Sequence, residues 1–191
     1  MIKHPCMKEC AIYKDGSLRG QGHYSFIVER SSLSMGEITI PLAPRSLAET
    51  EKVGLLSLKN LPCKESVSLK FASSEGVNAF VLEFYDFTSS LSRNILGGDT
   101  TTCILYDGKC ERLACVRIVT NPENKNTYDG ICVKWQSCKE PREMLYVKPL
   151  RRDTRLQVLA PHLLKYEGFD VCFSSAERMR EFMAICRHVR Y

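Results

Sequence analysis

Leu69-Lys70-Phe71-Ala72-Ser73-Ser74-Glu75 and Val171-Cys172-Phe173-Ser174-Ser175-Ala176-Glu177 carry one pattern: an apolar alternation that stops at serine and runs into an acid. Alternation of Leu69 with Phe71, and of Phe169, Val171 and Phe173, marks a strand with one buried face. A serine at its end predicts a helix start, because its hydroxyl accepts a hydrogen bond from an orphan backbone N–H. Ser174 and Glu177 also stand at capping-box spacing. Beyond each cap the apolar residues step by three and four, through Val77, Phe80, Val81 and Phe84, then through Met179, Phe182, Met183 and Cys186. Each set makes one stripe on a helix, with Arg178, Arg180, Glu181, Arg187 and Arg190 mostly left for solvent. Equivalent residues (71 and 173, 73 and 175, 75 and 177, 80 and 182) are all 102 positions apart. A shared offset across strand, cap and helix is the mark of an internal repeat.

The repeat extends towards the start of each half. Cys10-Ala11-Ile12-Tyr13-Lys14-Asp15-Gly16 matches Cys103-Ile104-Leu105-Tyr106-Asp107-Gly108, at an offset of 93 from Cys to Tyr and 92 at Asp-Gly. Asp-Gly after an apolar run is a hairpin signal, and Tyr24–Val28 and Ala114–Val119 are the expected next strands. Further strands are expected at Glu37–Ile40, Gly54–Leu58, Ile131–Trp135, Met144–Val147 and Leu156–Leu159. The offset grows along the chain, and turn-rich Asn121–Asn126 is the expected insertion. The fold class is therefore α+β: two tandem antiparallel β-sheet units, each closed by a C-terminal α-helix. The expected units are residues 1–92 and 93–191, with the boundary near Ser89–Asn94 and Gly97-Gly98 just beyond it.

Composition suits this reading. The 191 residues are 44% hydrophobic and 26% charged, which excludes a disordered or low-complexity chain. No apolar run approaches the length of a membrane span, and neither end shows a signal core or a lipidation motif, so an intracellular protein is expected. Ten cysteines could form a disulfide framework. Cys103, Cys115, Cys132, Cys172 and Cys186 instead fall in apolar strand or helix patterns, and reduced, core-packing thiols are expected. Residues 1–95 carry 11 basic and 10 acidic side chains (+1), and residues 96–191 carry 16 and 12 (+4), so most of the net charge of +5 sits in the second half. It concentrates at Arg142, Lys148, Arg151, Arg152 and Arg155.

Two units of strands followed by a helix, ending Phe169-x-Val171-x-Phe173-Ser174-Ser175 and then Phe182, resemble the close of a pleckstrin-homology (PH) superfold domain. The duplication in under 200 residues is similar to a polo-box pair, in which six strands and a helix repeat. Cysteine-rich, divergent polo boxes of this kind occur in kinetoplastid kinetochore kinases. The resemblance covers about residues 10–190 and implies protein docking, localisation and, in some members, self-association, in the nucleus at the kinetochore. The polo-box phosphopeptide grip uses a tryptophan and a His-x-Lys pair. This chain has Trp135, but none of His4, His23, His162 and His188 is followed by x-Lys, so that grip is not implied.

Other chemistry finds less support in the residues. His4, Cys6 and Cys10 offer three ligands of the four that a structural zinc site needs, without short paired spacing, so no metal is expected. His162, Asp170 and Cys172 are near in sequence but lack a nucleophile elbow, and no phosphate-cradling glycine motif occurs. No enzyme and no cofactor are expected. Basic residues near the first hairpins (Lys14 and Arg19; Lys109, Arg112 and Arg117) are too sparse for a phosphoinositide site, which stands as a lesser alternative. The segment Pro149–Arg155 is basic and suits an acidic or phosphorylated protein partner through charge-assisted bonds. The residues expected to contribute to binding are Trp135, Lys148, Arg151, Arg152 and Arg155. A histone- or nucleic-acid-binding module is the alternative from another class, weakened by the absence of aromatic residues among the basic ones.

Overall fold

Asp15 and Gly16 both take positive φ (50° and 79°), the backbone of a two-residue type I′ turn. The turn joins β1 (Glu9–Lys14) to β2 (Ser17–His23), with Lys14 opposite Ser17. It is docked in place, because Ser66 N–H donates to Asp15 Oδ1 at 3.0 Å and Asp15 N–H donates to Ser66 O at 2.8 Å. The returning strand is thus Ser17–His23, and the apolar Tyr24–Val28 expected from sequence comes one element later. β2 lies at a sheet edge and is largely exposed, so no buried face imposes apolar alternation on it. One position in it is constrained: a Cβ on Gly20 would lie 2.8 Å from Ile38 Cδ1.

A computed structural model describes residues 8–96, 102–106, 111–120, 128–136, 143–149, 156–166 and 168–189. The remaining strands of the first half are β3 (Ser25–Ile27), β4 (Ser32–Met35), β5 (Ile38–Pro41), β6 (Leu47–Lys52), β7 (Leu55–Lys59) and β8 (Val67–Lys70), followed by helix α1 (Ser74–Leu96). Then come β9 (Thr102–Tyr106), β10 (Glu111–Thr120), β11 (Tyr128–Gln136), β12 (Glu143–Pro149), β13 (Leu156–Ala160), β14 (Leu163–Tyr166), β15 (Phe169–Phe173) and helix α2 (Ala176–Val189). The architecture is α+β with antiparallel sheets. The chain divides into two compact units, Met1–Leu91 and Ser92–Tyr191.

In the first unit the sheets run β2-β1-β8-β7-β6 and β3-β4-β5. Helix α1 lays Val77, Phe80 and Phe84 on a core that includes Ile12, Leu56 and Leu69. Phe80 is fully buried, with ring centroids 5.1 Å from Tyr24, 5.4 Å from Phe71 and 5.7 Å from both Phe26 and Phe84. In the second unit a single sheet runs β12-β11-β10-β9-β15-β14-β13. Met179, Phe182 and Cys186 of α2 pack on Cys103, Leu105, Val171 and Phe173.

The local geometry at the repeat is the same in both halves. Ile12 faces Leu69 across β1 and β8, and Leu105 faces Val171 across β15 and β9. Those pairs are displaced by 93 positions on one strand and 102 on the other, the two offsets carried by the sequence. Phe71 and Phe80 have centroids 5.4 Å apart, and Phe173 and Phe182 5.3 Å. Gly76 N–H donates to Ser73 Oγ and Arg178 N–H to Ser175 Oγ, each at 3.2 Å. Ser175 is therefore the cap of α2, and the capping-box spacing from Ser174 is not used. Ser174 instead offers its carbonyl to Arg93 Nε at 3.0 Å.

Ser89–Asn94, which the sequence marks as a boundary, is helical. The serines tolerate this by bonding back to the previous turn: Ser89 Oγ donates to Asp86 O at 2.9 Å and Ser90 Oγ to Phe87 O at 2.6 Å. The division between units falls inside α1 rather than in a loop.

Phe80→Ala is expected to cost about 3–5 kcal/mol, and Ser73→Ala and Ser175→Ala about 1 kcal/mol each. Urea unfolding of the three variants followed by far-UV circular dichroism measures these values.

Candidate functional site

The two sequence-selected residues that the structure describes lie on neighbouring strands at one end of the second sheet. Trp135 in β11 pairs with Met144 in β12, and Lys148 in β12 pairs with Ile131. Met144 and Lys148 are four residues apart on one strand, so Trp135 and Lys148 share a sheet face about 13 Å apart along it. The Trp135 row continues through Ala114, Cys103 and Phe173, all buried in the core of the unit. Arg151, Arg152 and Arg155, with Lys109, lie outside the described residues.

The opposite face of that sheet is buried at its centre and exposed at Lys165 and Gln157. Ile104, Tyr106, Leu163 and Cys172 are at most 3% exposed and alternate with the core-facing residues. Ser92, the first residue of the second unit, sets its Oγ 3.3 Å from Cys172 Sγ. His162 is buried before β14 and its carbonyl accepts the Phe173 N–H at 2.8 Å. Cys172 is thus sealed from solvent, whereas a nucleophile must reach its substrate.

The other sequence candidates are accounted for locally. Lys14, one of the sparse hairpin cations, forms a 2.9 Å ion pair with Glu65. Arg19 stands exposed as the extra residue of a bulge in β2. Cys10, the one described member of the N-terminal His/Cys group, is buried, and burial pushes its thiol from 9.0 up to about 11. That opposes the thiolate form a zinc ligand takes. Among the described residues no group of three or more His, Cys, Asp or Glu is placed to hold a metal ion, and no helix is long and apolar enough to cross a membrane. Cys10, Cys103, Cys172 and Cys186 are buried and Cys63 is half-buried.

What sequence reading did not find is how the sheet edges are finished. An open edge offers unpaired N–H and C=O groups to any passing strand. On β6, Tyr85 of α1 closes one such position: Ala48 N–H donates to the Tyr85 hydroxyl at 3.1 Å, and that hydroxyl donates to Ala48 O at 3.2 Å. Burial pushes the Tyr85 hydroxyl pKa up, opposed by the Ala48 bond and reinforced by the Glu49 charge. β6 also carries a bulge at Glu51, β2 one at Arg19 and β13 one at Leu159. β3 has three residues and β5 four, ending at Pro41. β12 has seven, all paired with β11 in unbroken register, and no described strand on its other side.

No protein-family model, no curated protein and no solved structure matches this chain.

Two measurements check the local chemistry. Tyr85→Phe removes the hydroxyl that satisfies both groups of Ala48 and is expected to cost about 1–3 kcal/mol, with faster exchange of the Ala48 amide seen by NMR. Cys10 is protonated in the folded state at pH values where the unfolded thiol has already ionised. The Cys10 contribution to folding stability therefore falls as pH rises from 9.0 to about 11 and levels off above it. Denaturation midpoints across that range should show a shallower fall in Cys10→Ala.

Proposed function

We propose that this protein is a non-catalytic interaction and localisation module built from two PH-like, polo-box-like units. It recruits an acidic or phosphorylated protein partner to a chromosomal or cytoskeletal structure such as the kinetochore. The repeated register supports the two-unit reading: Ile12 opposite Leu69 and Leu105 opposite Val171, each pair leading into the same phenylalanine contact and serine cap. Duplicated sheet-and-helix units of this size place most of their polar chemistry at edges and loops, where partners dock.

The binding surface assigned by this reading starts at Lys148, near the end of edge strand β12, and continues through Arg151, Arg152 and Arg155. Guanidinium groups clustered over five residues favour carboxylates or phosphates through paired N–H donors. Trp135 lies at a register position on the same sheet face one strand further in.

Charge reversal of Arg151 and Arg152 to glutamate is expected to abolish localisation of a fluorescently tagged chain while its circular dichroism spectrum stays unchanged. Localisation that survives the double reversal removes these residues from the site. A DNA titration at two salt concentrations separates the nucleic-acid alternative, whose affinity would fall steeply with salt.

A further inference from the structure

We propose that the start of edge strand β13, on the sheet face covered by α2, binds an extended acidic segment of a partner protein, whose main chain pairs with Leu156 and whose apolar side chains cover Val158. This deepens, and rests on, the reading of the second unit as the one that recruits an acidic partner.

The two units set their outer strands in the same register. In the first, Leu69 faces Leu56, Leu56 faces Thr50 and Leu58 faces Ala48. In the second, Val171 faces Leu164, Leu164 faces Val158 and Tyr166 faces Leu156. A bulge follows at the same step in each, at Glu51 and at Leu159. Leu156 therefore holds in β13 the place that Ala48 holds in β6. At Ala48 the Tyr85 hydroxyl satisfies both backbone groups, at 3.1 and 3.2 Å. The helix position 102 residues later is Arg187, a residue type with donors and no acceptor for an edge N–H. Among the described residues no strand pairs with the outer side of β13. Backbone groups open in this way are satisfied by a partner's main chain when it adds as a strand.

The side chains beside that position differ in kind between the units. Thr50 is exposed in the first, and its counterpart in the second is Val158, 52% exposed. Val158 is the outer end of a row whose other members, Leu105, Val171 and Leu164, are buried. Leu156, Phe169 and Met183 are half-buried against the same core. The core thus runs out to solvent at an edge, and a strand laid along it would bury the exposed valine.

Charge selects the sequence of that strand. Arg180 on α2, three residues before Met183, is exposed and makes no ion pair among the described residues, whereas its neighbour Arg178 is held by Glu181 at 3.2 Å. Arg155 immediately precedes Leu156 in the chain. Main-chain pairing tolerates any sequence, and cations on both strand and helix favour carboxylates alternating with apolar residues.

Titration of the full chain, followed by amide NMR, with an end-blocked heptapeptide alternating glutamate and valine tests this. The Leu156 and Val158 amides are expected to shift below about 1 mM peptide, while the Ala48 amide, already bonded to Tyr85, stays in place. The same peptide with lysine for glutamate, or with N-methylated valines that cannot donate to the edge, should bind at least about tenfold more weakly. Val158→Glu, at an exposed position, should weaken binding of the glutamate peptide by a similar factor. No shift at Leu156 and Val158 up to about 1 mM, equal binding of either control peptide, or unchanged binding by folded Val158→Glu overturns the proposal. Localisation lost on reversing Arg151 and Arg152, with no peptide shift at Leu156, leaves the recruitment reading standing and removes only this edge. Peptide shifts at Leu156 in a chain whose localisation survives that reversal do the opposite.

Discussion

The first strand of each unit pairs with the last, and the rest of the architecture follows from that pairing. It joins residues far apart in the chain, Ile12 with Leu69 and Leu105 with Val171. Closing such long loops costs entropy that grows only slowly with length, so an intervening meander of strands is tolerated if the joint itself is well buried. It is: Ile12 and Leu69 are fully buried, and Leu105 and Val171 nearly so. Each such side chain contributes about 1.5–3 kcal/mol of burial. Two residues beyond the joint, Phe71 and Phe173 reach the helix at Phe80 and Phe182. Two residues further, Ser73 and Ser175 start that helix. Within a few residues the chain thus fixes sheet register, helix start and the helix face that meets the sheet.

This explains which parts of the fold can be read from sequence. The joint, the phenylalanine and the cap depend on residue type at fixed spacing, so they survive as a visible repeat. The strands that escape reading are those without a buried face or without apolar residues. β2 is Ser-Leu-Arg-Gly-Gln-Gly-His on an exposed edge, and β6 ends Glu-Thr-Glu-Lys with only Leu47 buried. β4 escapes for a different reason: it has only four residues, in which the buried Leu33 and Met35 alternate with Ser32 and Ser34. The far end of α1 is hidden for another reason: Thr88, Ser89, Ser90 and Ser92 read as a linker until their hydroxyls are seen bonding to the preceding turn or to Cys172. At the binding surface, sequence selects Lys148 and Trp135 by charge and rarity. Only the register shows that they share one face of an outer strand pair.

The two units differ in sheet layout, and the difference begins at Tyr24. In the second unit β10 runs ten residues and carries the sheet on to β11 and β12. In the first, the strand stops at His23, Tyr24 turns into the core against Phe71 and Phe80, and β3 begins a separate three-stranded sheet. The layout in turn sets the edges: the separate sheet has short strands, and the continuous one leaves a long strand at its end.

Edges are where two copies of one plan are most free to differ, because an edge residue answers to solvent rather than to a packed neighbour. Tyr85 shows how far the difference goes. Its hydroxyl both accepts from and donates to Ala48, so one atom satisfies two backbone groups on β6. The residue 102 positions later is Arg187. A guanidinium only donates, so no arginine can satisfy an edge N–H as the tyrosine does. The edge strand β13 carries a bulge at Leu159, as β6 does at Glu51. Both edges are thus distorted, and in the first unit the Tyr85 hydroxyl adds a second closure from the helix.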